Sequence, residues 1–294
     1  MKRYTIKQTI SIAIVICVAV LLSQIAKRVF AVVDISSINA AVLKNKELIK
    51  SGKGGVHEII KMTAANGGMK IDYQVAFKGS SFLMTKEEIL ITKGNHTSRK
   101  TTVAFNGKST MLYDHNRNEL RRGDEKSPTG REAISLFNQI CGSRNLGNKN
   151  DKEPKIERKI LKHEKVDGKD CVVIKDVING GFQGVKYTQE TQEWRCSAEK
   201  YSLLKAITWV TFDSITKREL ASESYIDYKN ANGVWVPTKI NSITYGYDKA
   251  SGSRYKAFHN IIEYAPDFKY NIMITDKDLT FTPPKDVQIY DDTK

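Results

Sequence analysis

Metal-ligand spacing is missing from this sequence. Its five histidines, His57, His96, His115, His163 and His259, stand far apart, and no two of its four cysteines form a C-x-x-C pair. His57-Glu58 has no second histidine four residues on, so the helical zinc motif is absent. No G-x-S-x-G elbow occurs, which removes a common hydrolase signature. Gly107-Lys108-Ser109-Thr110 matches the end of a phosphate-binding loop. That motif needs a glycine where Thr102 stands, and residues 109–113 read as strand rather than helix. No repeat of the propeller or solenoid kind is present. With no catalytic set, no metal set and no cofactor fingerprint, the sequence points to a binding protein rather than an enzyme. An envelope hydrolase built on carboxylates that converge only in three dimensions is the remaining catalytic alternative.

Acidic residues are absent from residues 1–31, which hold five basic ones: Lys2, Arg3, Lys7, Lys27 and Arg28. The rest of the chain keeps 42 basic against 33 acidic residues, a balance of +9. Such a surface favours anionic partners, or serves solubility alone. Between the N-terminal charges lies an apolar run, Ile10–Leu22, of signal-peptide length, and Val29-Phe30-Ala31 offers a cleavage site. Extended to Ala26, the run reaches the lower limit of a membrane span. The expectation is export to the periplasm or cell envelope. The chain is then cleaved after Ala31, or anchored in the inner membrane by residues 10–26 as an N-terminal hydrophobic helix. Residues 32–294 form one domain outside the cytoplasm, so nucleic acid is not an expected partner. Lipid, the inner-membrane surface and other envelope proteins are.

Long apolar stretches are scarce beyond residue 31; what is there instead is alternation. Residues 35–51 carry Ile35, Ile38, Ala41, Val42, Leu48 and Ile49 at helical spacing, with Asp34, Ser36 or Ser37 as cap and Gly52 as stop. From Lys70 to Lys78, Ile71, Tyr73, Val75 and Phe77 fall on one face and polar residues on the other. Strands are predicted at 56–62, 81–84, 88–92, 97–105 and 109–113. A second helix, 130–141, carries Ile134, Phe137 and Ile140. A polar loop follows at 142–155, and strands resume at 156–166, 170–178, 184–190, 200–212 and 216–228. Val234–Tyr247 pairs with the preceding strand across Asn232-Gly233, and Pro237 marks an edge or a bulge. Strands at 254–264 and 268–274 and a short helix at 276–279 end the series. The fold class is mainly β with a few helices, an antiparallel sheet or barrel. If that sheet curves and the helices close its mouth, the interior is an apolar cavity.

Cys171 and Cys196 are symmetric about the glycine-rich turn at 179–184, and a simple hairpin sets them opposite each other. They are a disulfide in an oxidising compartment or, with Cys141, small buried hydrophobes.

Ser224-Tyr225-x-x-Tyr228 precedes Gly233-Val234-Trp235-Val236-Pro237-Thr238-Lys239-Ile240, and Phe281-Thr282-Pro283-Pro284-Lys285-Asp286-Val287 comes near the end. These resemble the late hairpin and the closing F-x-x-P segment of the LolA/LolB superfamily of bacterial lipoprotein carriers. Tyr225, Tyr228, Gly233, Trp235, Pro237, Phe281 and Pro284 carry the likeness. Trp194–Leu204 is similar to the family's W-(I/V)-D-P strand, from which Arg195 and Cys196 depart. The resemblance implies an unclosed, curved antiparallel half-barrel lidded by the two helices. It also implies a monomeric carrier, without cofactor or metal, that shelters acyl chains of a lipoprotein or lipid. Tyr73, Val75, Phe77, Ile134, Phe137, Val234 and Val236 are the candidate cavity residues. A membrane-tethered sensor or interaction domain on the same fold is the alternative.

Overall fold

The computed structural model describes residues 34–63, 67–92, 95–141, 156–182, 185–212, 215–248 and 253–293. The predicted export segment and the predicted 142–155 loop lie outside the described residues. The chain divides into two units, residues 1–40 and 41–294. In the first, helix α1 (Ile35–Glu47) begins. Asp34 caps it, its Oδ1 accepting from the Ser37 amide at 2.7 Å and the Ser36 hydroxyl at 2.9 Å. These bonds hold the Asp34 carboxyl below its ordinary pKa. From Ala41 onward α1 belongs to the second unit.

That second unit is built on strands β1 (Ser51–Met62), β2 (Gly67–Lys78), β3 (Ser81–Thr92), β4 (Asn95–Phe105), β5 (Ser109–Asp114) and β6 (Glu119–Asp124). Helix α2 (Pro128–Cys141) follows, then β7 (Ile156–Val166), β8 (Lys169–Phe182), β9 (Val185–Cys196), β10 (Ser202–Phe212), β11 (Ile215–Ala231), β12 (Val234–Asp248) and β13 (Ser253–Tyr264). The short β14 (Lys269–Tyr270), α3 (Asp276–Leu279) and β15 (Gln288–Asp291) end the described chain. All described strands join one sheet in the order β15-β6-β5-β4-β3-β2-β1-β13-β12-β11-β10-β9-β8-β7, with β14 beside β1. Two antiparallel meanders thus meet where β1 pairs β13, Val56 opposite Tyr264. Among the described strands β7 and β15 are edges, so the sheet is an unclosed half-barrel, mainly β as the alternation implies.

The main core lies under β1–β5, β12 and β13, against α2. Alternation in β2 buries Ile71, Tyr73, Val75 and Phe77 as read, and Ala76 with them. The α2 stripe lies against β4, β5 and β6. Phe137 stacks on Phe82 with centroids 4.3 Å apart, and Phe77 meets it edge-on at 5.6 Å. One carboxylate is inside this core: Glu58 accepts from the Tyr73 hydroxyl at 2.7 Å and from the Asn260 amide at 2.8 Å. Pairing on both oxygens offsets the cost of burying it.

Several boundaries differ from expectation. Helix α1 ends at Glu47, and Gly52 is not its stop. Gly52 lies inside β1 beneath the Phe77 ring, where an added Cβ would fall 2.7 Å from ring carbons. Residues 81–92 form one strand, because the polar Thr85-Lys86-Glu87-Glu88 stretch keeps full register with β2 and β4. β6 was not legible, since only Leu120 and Gly123 of Glu119–Asp124 are buried. β15 is exposed throughout and pairs parallel to β6, Gln288 opposite Glu119. Of 268–274 only Lys269–Tyr270 pairs.

Cys171 and Cys196 face each other in register across β8 and β9, both buried in a second small cluster with Val173, Trp194 and Leu204. Both are free thiols here, and burial pushes the Cys171 thiol above its ordinary pKa. Treatment with a mild oxidant under partly denaturing conditions should therefore yield an intramolecular Cys171–Cys196 peptide pair in non-reducing peptide mass spectrometry. A pairing of either with Cys141 would contradict the register.

Candidate functional site

The β11–β12 hairpin forms one wall of the site. Its turn puts both Asn232 (φ 55°) and Gly233 (φ 85°) in the left-handed region, the backbone that matches strand twist, and Asn230 Oδ1 accepts from the Gly233 amide at 2.8 Å. Pro237 is accommodated by a bulge. Tyr228 pairs Pro237 and Asp227 pairs Lys239, leaving Thr238 as the extra residue. Pairing of β12 with β13 begins only at Lys239, so Pro237 has no ladder partner on that side to deprive of a donor.

Opposite the hairpin stands the second half of α1. Asn45, 8% exposed, donates from Nδ2 to the Trp235 carbonyl at 2.8 Å, and its Oδ1 accepts from the Trp235 amide at 3.0 Å. One side chain thus takes the place of a neighbouring strand and ties the helix to β12. Asn45→Ala leaves both Trp235 groups unpaired, at a cost of about 2 kcal/mol. The check is the urea midpoint, which should fall with an unchanged slope.

Between these walls is a cavity of about 350 Å³. Ile49, Leu203, Ile226, Pro237 and Ile240 supply apolar surface to it, with Val42 from α1 and Cys141 from the end of α2. Five successive strands, β9 to β13, reach it. Tyr228 and Tyr264 line it too. Burial pushes the Tyr228 phenol up to about 12 and Tyr264 well above the usual tyrosine value, while the Tyr264 hydroxyl donates to the Ile140 carbonyl. An unfolded tyrosine ionises near pH 10. The raised folded values therefore contribute stability below pH 10 that is lost as pH rises toward about 12. Thermal melts followed by circular dichroism at about pH 9 and about pH 11 should show the loss.

Polar groups at the cavity are biased to one sign. Lys46, Arg195 and Lys200 line it, and no aspartate or glutamate is among its described lining. Arg195 donates from Nε and Nη2 to Glu193 at 2.8 Å and from Nη1 to the Tyr201 carbonyl at 3.2 Å, which fixes its plane. Lys46 is exposed as a residue, yet its ammonium lies over enough protein to lose hydration. That desolvation, and then the charge of Arg195, hold it below the ordinary lysine value against the pull of Glu193.

Of the sequence markers, Tyr228, Trp235 and Pro237 line the cavity and Gly233 makes the turn. Tyr225 is exposed, donates to Glu223 at 3.1 Å and lies under the Lys205 ammonium. Phe281 packs on Tyr113 at 5.5 Å, and Pro284 is exposed beyond it. The seven residues expected to line a cavity, Tyr73, Val75, Phe77, Ile134, Phe137, Val234 and Val236, lie in the main core, and none is among the lining of this cavity. Within that core Phe77 and Phe82 both pack on Phe137. Arg195 stands where the sequence departs from the carrier pattern, and that departure was the readable signal for the rim. Asn45 and Lys46 gave none. Among the described residues no group of three or more His, Cys, Asp or Glu could hold a metal ion, and no helix is long and apolar enough to cross a membrane.

No family model matches the chain, and no curated protein matches it. Solved structures do. A DUF1329 family protein from Desulfovibrio piger is 13% identical over 83% of this chain and 96% of its own, with a TM-score of 0.45. The Mycobacterium tuberculosis lipoprotein LppX is 9% identical over 82% and 99%, TM-score 0.27. LprF from Mycobacterium bovis is 10% identical over 86% and 98%, TM-score 0.28. At these values none of the three assigns an activity.

Proposed function

We propose that the chain is an exported cell-envelope protein that binds an acyl chain of a lipid or lipoprotein, without covalent chemistry, in the cavity between α1 and strands β9–β13. One observation carries the reading: an apolar cavity of about 350 Å³ held open between a curved sheet and a helix. At about 30 Å³ per methylene, close to the volume share of a water, it accepts roughly a dozen methylenes. Burying a dozen methylenes at about 0.8 kcal/mol each gives about 10 kcal/mol; an association cost of about 4 kcal/mol leaves about 6, a reversible affinity of tens of micromolar. Reversibility is what a carrier needs. The test is extraction of the purified full chain with organic solvent, followed by lipid mass spectrometry and titration with an acyl-chain fluorophore. Bound lipid or saturable fluorophore uptake supports the reading; absence of both refutes it. N-terminal sequencing of the same sample distinguishes a released carrier, starting at Val32, from a tethered protein.

A further inference from the structure

The acyl-chain reading leaves the cations at the cavity unexplained. A cavity for hydrocarbon alone needs no charge at its rim, and each ion placed there loses hydration. Yet Lys46, Arg195 and Lys200 come to it from three separate places: α1, the end of β9 and the turn after the Ser197–Glu199 helical turn. Lys200 has a left-handed backbone (φ 55°), an uncommon setting for a lysine. Of the carboxylates beside Arg195 and Lys200 in sequence, one is paired with the arginine itself and the other is engaged elsewhere. Glu193 braces Arg195 from the side, and the buried Glu199 pairs Lys169 at 2.5 Å. Burial first, and then the charge of Arg195, weaken the Lys46 ammonium's hold on its proton, and an anion beside the two cations offsets the second cause.

We propose that the cavity takes a single-chain amphiphile with an anionic head, a carboxylate or a phosphate, whose chain lies along Ile226, Pro237 and Ile240 while Lys46, Arg195 and Lys200 hold the head. The volume, roughly a dozen methylenes at about 30 Å³ each, matches one chain of about twelve carbons. The braced guanidinium gives the head a fixed direction, and the lysines add charge that adapts to either head. This rests on the acyl-chain reading above and adds the head-group class to it.

The experiment is competition against an acyl-chain fluorophore on the full chain at neutral pH. The competitors are dodecanoate, dodecyl phosphate, dodecanol and dodecyltrimethylammonium. The two anions are expected to compete at least ten-fold better than dodecanol, and the cation worse than dodecanol. The tighter anion identifies the head. Lys46→Gln and Lys200→Gln together should reduce the advantage of the anions to less than about three-fold while dodecanol competes as before. Lys256→Gln, which removes a charge from exposed β13 away from the cavity, should leave the advantage intact. Equal competition by dodecanoate and dodecanol overturns the head-group proposal and leaves acyl binding standing. An anion advantage lost equally in Lys256→Gln assigns it to net charge and also overturns the proposal. Competition by none of the four overturns the head-group proposal, and absence of both fluorophore uptake and extracted lipid overturns both readings.

Discussion

Ile226→Trp should abolish uptake of an acyl-chain fluorophore while leaving the melting temperature within a few degrees of the parent. Ile226 is half-buried on β11 and contributes one wall of the cavity. It is outside the main core, so a larger side chain there grows into open space rather than into packed neighbours. The indole then occupies part of about 350 Å³ that an acyl chain needs. Losing room for even four methylenes removes about 3 kcal/mol of burial, more than a hundred-fold in affinity. Fluorophore titration measures the loss directly, and near-ultraviolet circular dichroism checks the fold. Undiminished uptake by this variant would place the lipid site elsewhere. Uptake lost together with the fold would point instead to a packed position.

Phe137→Ala has the opposite signature. The ring is fully buried, stacked on Phe82 at 4.3 Å and met edge-on by Phe77 at 5.6 Å. Truncation removes both ring contacts and leaves a void that β2, β3 and α2 cannot all close. A loss of about 3–5 kcal/mol is expected, read as a lower denaturant midpoint with an unchanged slope. Phe137→Leu should recover more than half of it, because shape rather than chemistry is what the site needs. Fluorophore affinity, measured on the fraction still folded, should stay close to the parent value. The pair of variants thus separates two apolar interiors that look alike in sequence, one packed solid and one open.

That distinction is where sequence reading stopped. Period-two alternation at Ile71, Tyr73, Val75 and Phe77 identified strand and buried face, and the structure agrees. Alternation reports only that a side chain leaves water. It does not report whether the volume beyond is filled by Phe82 and Phe137 or left open, because that depends on where a distant helix comes down. The Asn232-Gly233 turn and the Pro237 irregularity were legible because both arise from local backbone chemistry. β6 and β15 were not, since their pairing is made by backbone groups and leaves almost no apolar imprint on Glu119–Asp124 or Gln288–Asp291. At the cavity, the hairpin markers Tyr228, Trp235 and Pro237 were visible. Asn45 was not, because an asparagine on a helix gives no hint that its amide will serve as a strand.

The seam between the two meanders also sets the order in which the molecule can be made. Every antiparallel neighbour within a meander follows its partner closely along the chain, so those pairs assemble from local turns. The seam is different. Val56 must wait for Tyr264, and until then β1 presents an unpaired edge flanked by Gly52, Gly54 and Gly55. A chain emerging from N- to C-terminus therefore holds its first-made strand in suspense until nearly its last arrives. That interval is the one in which a neighbouring chain can pair with β1 in place of β13.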